Sequence, residues 1–206
     1  KLTQTSSGSN SNDGQEEPPA TDPATPLFYE VTGPKGQKMW LFGTIQVGDA
    51  RTNFLPEQIR TAFETADALA VEFDSFAFRD ALLTDLALQQ AFSDAYYYND
   101  RTTVFDHLND ENSKHLEMLM KTCGLYNINA PYTKAAVWCS RIENFYLTQG
   151  SSLSADNGAD TRLLLWAKEQ EKPVYEVESG ISQLQMFTGF SDALQEKQLE
   201  ELFVLG

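Results

Sequence analysis

The chain has 206 residues, with 15 Lys and Arg against 30 Asp and Glu, a formal net charge of −15 and a pI of about 4.4. A surface this acidic repels both a phosphate backbone and an anionic lipid leaflet, which excludes nucleic-acid and membrane-surface binding through basic patches. No apolar run is long enough to span a bilayer, the polar first residues do not read as a signal peptide, and 41% hydrophobic residues suffice for a core.

Residues 1–26 are built from Ser, Thr, Asn, Gly and Pro, with one lysine against Asp13, Glu16, Glu17 and Asp22. Such a stretch cannot bury enough apolar surface to offset the entropy of ordering, so it reads as a disordered polar tether, either a spacer from an upstream lipid or membrane anchor or an unstructured end. Folded sequence runs over 27–206. The runs LFYEVT (27–32) and KMWLFG (38–43), separated by Gly33-Pro34-Lys35-Gly36, predict a β-hairpin. Leu55, Ile59, Ala62, Phe63 and Ala66 share one face of a helix that Pro56 and Glu57 suit at its start. ADALAVEFD predicts a short buried strand.

Residues 76–95 predict helix throughout. Asp110 or Asn112 is expected to cap a helix with Leu116, Leu119, Met120 and Cys123 inward, ending at Gly124. A second long helix follows Pro131 to about Leu147, with Val137, Trp138, Ile142, Phe145 and Tyr146 inward. After a loop at 149–157, Asn157 is expected to cap a helix bearing Leu163, Leu164 and Trp166. KPVYEVE predicts a strand, Ser179 caps the next helix, and a last helix starts near Ser191. Four strands and six or seven helices make an α/β fold, with α+β left open. It has an N-terminal hairpin, a few-stranded mixed sheet and a helical insertion at about 80–155.

Several chemistries find no support. Cys123 and Cys139 are the only cysteines; they lie in apolar helical patterns and read as buried thiols, with one bridge left open and no zinc spacing. His107, Glu111 and His115 recur every four residues, which suits a metal on one helix face, but Asn109, Asp110 and Asn112 look like a helix start that breaks that face. No nucleophile elbow or phosphate-binding glycine loop occurs.

The informative segment is Leu41-Phe42-Gly43-Thr44-Ile45-Gln46-Val47-Gly48-Asp49, at the end of a strand, where α/β proteins place sites. Gly43 and Gly48 would let the backbone turn there. Glu72 and Glu178 each close a strand. A buried carboxylate needs a partner, hydrogen bonds or a metal, whereas a solvated one at a strand end needs none. Gly158-Ala159-Asp160 opens a helix where Asp160 either faces the same site or serves the helix start.

These segments, in this order, resemble the TraB/GumN (Tiki-like, PrgY) family, whose signature reads Leu-Phe-Gly-Ser/Thr-x-His-x-Gly. LPEQIRTAFETADALAVEFD is similar to its helix and Glu-bearing strand. FDHL with ENSKHLEMLMKTCGL is similar to its middle helices, and GADTRLLLWAKEQEKPVYEVESGISQLQMF to its Gly-x-Asp helix and following strand. The resemblance implies metal-dependent peptide hydrolysis of the kind linked to Wnt inactivation in animals and to pheromone control in bacteria. It also implies a divalent metal and a peptide or protein substrate; with the tether-like start, the expected location is extracytoplasmic, at a bacterial cell surface or secreted. By position it implies Gln46 and Glu72 as metal ligands, and Glu72, Asp160 and Glu178 as ligand, base or orienting groups, beside Gly43. Two departures weaken hydrolysis. The signature histidine is Gln46, a neutral weak ligand that cannot act as a base, and no second Gly-x-x-His occurs before Gly206. The expectation is therefore the first two-thirds of the family domain or a short form, with hydrolysis impaired, or else a pseudoenzyme that binds a peptide or partner without cleaving it.

Overall fold

The computed structural model describes residues 26–204; the tether expected over 1–26 lies, apart from Pro26, outside them. The fold is mixed α/β and mostly helical, with eight α-helices among the described residues. Strands β1 (Phe28–Thr32) and β2 (Lys38–Phe42) pair antiparallel, with Phe28 opposite Phe42 and Thr32 opposite Lys38. Directly opposed residues share a face of a hairpin. One face therefore carries the Phe28–Phe42 edge contact at 6.3 Å and the Lys38–Glu30 ion pair at 2.8 Å, with Trp40 Nε1 donating to Glu30 Oε2 at 3.2 Å. The other face carries Tyr29, Val31, Met39 and Leu41, which are 40–62% exposed.

Helix α1 (Glu57–Thr65) buries Ile59, Ala62 and Phe63, the face its spacing predicts. It leads to β3 (Leu69–Val71), which pairs parallel with β4 (Val174–Glu176). The two strand pairs are separate two-stranded sheets. A hundred residues of mostly helix separate β3 from β4. The helix predicted over 76–95 is broken in two, α2 (Ser75–Thr84) and α3 (Leu86–Tyr96). The break falls at Asp85, whose carboxylate accepts from Ala87 N at 2.9 Å and Leu88 N at 3.1 Å, replacing the partners those amides would have in a continuous helix.

Helix α4 (Asp110–Thr122) is capped by Asn109 instead of Asp110 or Asn112. Asn112 is buried, and its amide donates to Glu196 and Glu200, both at 2.9 Å, so tertiary partners claim the side chain. Helix α5 (Ala135–Thr148) follows, then α6 (Ala159–Glu169). Gly158 stands at the α6 cap and Asn157 lies in a preceding 3-10 turn (Ala155–Asn157). Helices α7 (Gly180–Thr188) and α8 (Asp192–Phe203) start at Ser179 and Ser191, whose side chains accept from Ser182 N and Leu194 N as expected of caps.

Two apolar clusters result. The larger joins Leu116 and Met120 of α4, Trp138 and Ile142 of α5, Leu199 of α8 and Val104. The smaller joins Phe63 of α1 with Leu163 and Ala167 of α6, flanked by Phe42, Leu69 and Val174. Gln195 is buried between α5 and the α7–α8 turn, accepting from Ala136 N at 2.9 Å and donating to Phe190 O at 2.6 Å. No described helix is long and apolar enough to cross a membrane.

Candidate functional site

Helix α6 packs on β3 and enters β4 through the short connection 170–173. A helix that feeds a strand this way runs back along it, so its first turn lies toward the ends where β3 and β4 finish. That first turn receives the Gln46 segment. Ala159 N donates to Ile45 O at 2.9 Å, and Gly48 and Ser154 exchange hydrogen bonds at 2.9 and 2.8 Å. The glycines are required for closeness: a Cβ on Gly48 would collide with the Asn157 carbonyl and the Thr52 hydroxyl, and one on Gly158 with the Gln46 carbonyl. Gly43 and Gly48 were expected to supply turning freedom, but neither has a positive φ. Asp49 then caps a 3-10 turn and pairs with Arg51 at 2.7 Å, which holds its carboxyl below the ordinary carboxylate range.

The parallel pairing continues past the strands. Val177 N donates to Val71 O at 2.9 Å and Glu178 N to Glu72 O at 2.8 Å, which places the backbones of the two predicted site carboxylates side by side. Both side chains are exposed, so no desolvation cost forces a metal or a cation on them. Glu72 has a partner that sequence reasoning missed: Gln183 Nε2, on α7, donates to its carboxylate at 2.8 Å. Glu176 Oε1 accepts from Asp74 N at 2.8 Å, fastening the same strand end to the start of α2. The only sequence signal for Gln183 was its place in the first turns of the helix after Glu178. Asp160 sits in the first turn of α6, half-buried, where its charge complements the helix dipole.

The chain thus brings the backbone of the Gln46 segment to the first turn of α6, which includes Asp160, and sets the backbones of Glu72 and Glu178 side by side. Among the described residues no three His, Cys, Asp or Glu side chains gather to hold a metal ion. A carboxamide, one carboxylate already bonded to Gln183 and exposed carboxylates do not fit a divalent metal centre, which takes three or more well-placed donors. The histidines lie elsewhere. His107 Nδ1 meets Asp192 Oδ2 at 2.9 Å and its Nε2 meets Thr102 Oγ1 at 2.8 Å, while His115 lies edge-on to Phe203 at 5.5 Å. Cys123 and Cys139 are unbridged, and burial pushes the Cys139 thiol up to about 12.

This is a mixed α/β domain in which the backbone of the Gln46 segment is held against the start of α6. Residues 27–203 match the TraB/PrgY/gumN family, and the chain belongs to it. No curated protein and no solved structure matched the chain.

Proposed function

We propose that this TraB/PrgY/gumN-family domain acts outside the cytoplasm and binds polypeptide, with the metal-dependent peptide hydrolysis of its ancestry impaired. The observation that carries the reading is Gln46. It stands where the resemblance places a histidine, in a segment whose backbone is bonded to the start of α6. A carboxamide there supplies neither a strong ligand nor a proton acceptor near neutral pH. Polypeptide binding is supported by the hairpin just before it. Both its strands have an open edge, and Tyr29, Val31, Met39 and Leu41 stand exposed on one face, a surface suited to an extended apolar segment. The location outside the cytoplasm rests on the tether-like composition of residues 1–26.

The test is to incubate the purified chain with zinc, manganese or cobalt and a library of unstructured peptides. The expected result is saturable peptide binding without cleavage or stoichiometric metal, with binding lost in Tyr29→Asp and Leu41→Asp. Metal-dependent cleavage that disappears in Glu72→Ala would overturn the impaired-hydrolysis reading. Gln46→His sharpens it: a gain of metal affinity would show that the groups around residue 46 can still hold a metal once the histidine is restored.

A further inference from the structure

Helices α3, α5 and α7 border an open groove with a volume of about 300 Å³ that no strand-end residue lines. This is at the lower end of the volumes of small-molecule sites, roughly 300–1,000 Å³. Its wall is mainly apolar, with Val137 of α5 and Leu184 and Phe187 of α7 among its lining. The polar groups are Tyr96 at the end of α3, Ser140, Arg141 and Asn144 along α5, and Thr188 at the end of α7. No carboxylate lines it, although the chain has 30 acids to 15 bases.

Arg141 is the unusual member. Its guanidinium lies 4.4 Å from the centroid of the Trp138 ring. That ring is fully buried, and its indole N–H donates to Ala130 O at 3.2 Å, so the platform under the cation is fixed. The guanidinium also lies near the Tyr96 phenol, whose pKa burial raises above its ordinary value. Among the described residues no Asp or Glu forms an ion pair with Arg141. A half-buried guanidinium with planar donors, held on an aromatic face at the rim of an apolar groove, is complementary to a carboxylate with an apolar tail.

We propose that this groove binds a small alkyl monocarboxylate, with its chain among Val137, Leu184 and Phe187 and its carboxylate on the Arg141 guanidinium and the Tyr96 hydroxyl. The neutral groups Ser140 and Asn144 add hydrogen-bonding capacity on the α5 wall. The ligand's charge distinguishes this site from the strand-end site, where the candidate groups are themselves acidic.

The test uses octanoate, octanol and octylamine as probes, titrated into the whole chain at pH 7 by calorimetry and by the fluorescence of the tryptophans, Trp138 among them. Octanoate should bind about tenfold more tightly than octanol, the size of one charge-assisted contact, and octylamine more weakly than either. Arg141→Leu should remove the preference for octanoate while keeping octanol binding. Arg141→Lys, which keeps the charge without the planar fork, should retain only part of the preference and covers the case in which the leucine variant does not fold. Leu184→Trp, which fills the groove, should abolish binding of all three. Equal affinity for octanoate and octanol, a preference that survives in Arg141→Leu, or binding unaffected by Leu184→Trp would each overturn the proposal, as would no saturable binding.

Discussion

Around Trp138, side chains from α4, α5 and α8 and Val104 meet with at most 2% solvent exposure. Around Phe63, in the unit formed by the hairpin, α1, β3, β4 and α6, the buried cluster is three residues, and Leu163 and Phe63 each keep 7% exposure. The helical body is held by volume. The strand-bearing unit, which carries the candidate site, is held more by backbone: the Gly48 and Gly158 approaches, the parallel pairing, and Lys172. The ammonium of Lys172 donates to Phe63 O at 2.6 Å and to Ala66 O, closing the C-terminal end of α1. A segment such as 44–49 can therefore be positioned well without a large core of its own, at the cost of sensitivity to a single added methyl group.

The largest effect should come from Trp138→Ala, at about 3–5 kcal/mol, a fall in Tm on the order of 10 °C by calorimetry. The matched pair Leu116→Ala and Leu163→Ala tests the contrast at constant chemistry. Both fall in the range of about 2–5 kcal/mol, with Leu116 toward the upper end, because its surroundings are tighter. Equal losses would break the comparison.

Gly158→Ala should cost about 1–3 kcal/mol by overpacking, measured by urea denaturation. It should also displace the Gln46 segment, seen as amide shift changes over 44–49. Lys172→Met should cost about 1.5–3 kcal/mol, the range for hydrogen bonds from a charged group, and should fray the end of α1 in hydrogen exchange.

A pH effect separates a local polar device from core packing. The Thr103 N–H and then its hydroxyl hold Asp106 below the ordinary carboxylate range. A carboxylate with a depressed folded-state pKa stabilises the fold above its unfolded pKa, about 4, and that contribution fades as pH falls through the lower folded value. The stability gap between wild type and Asp106→Ala should thus be full at pH 6 and shrink below about pH 4. The smallest effect belongs to Glu72→Ala. Because that carboxylate is exposed, stability should change by about 0.5 kcal/mol or less, so a loss of binding in the variant would report on function.

Much of the fold was legible because it is local. The hairpin follows from period-two runs around a glycine-proline turn. The inward faces of α1, α4 and α5 follow from helical spacing, and the starts of α7 and α8 from Ser179 and Ser191. The misread features involve competition for a side chain. Asp85 splits a stretch of good helix formers by bonding two amides, and Asn112 leaves the cap to Asn109 because α8 supplies carboxylates from more than eighty residues away. Of the candidate site, Gln46, Glu72, Asp160 and Glu178 were named by resemblance alone. The approach of the Gln46 segment to the start of α6, and of the Glu72 backbone to that of Glu178, was not.

By itself the sequence determined the element types, the family and the glutamine in place of a histidine, because periodicity, capping chemistry and motif order are properties of near neighbours in the chain. Only the tertiary structure decided that Glu72 is exposed and bonded to Gln183, that Gly48 and Gly158 serve closeness, and that Arg141 lines a groove without an acidic partner among the described residues. Each of these depends on which distant segment arrives at a given surface, a choice made by the packing of whole elements.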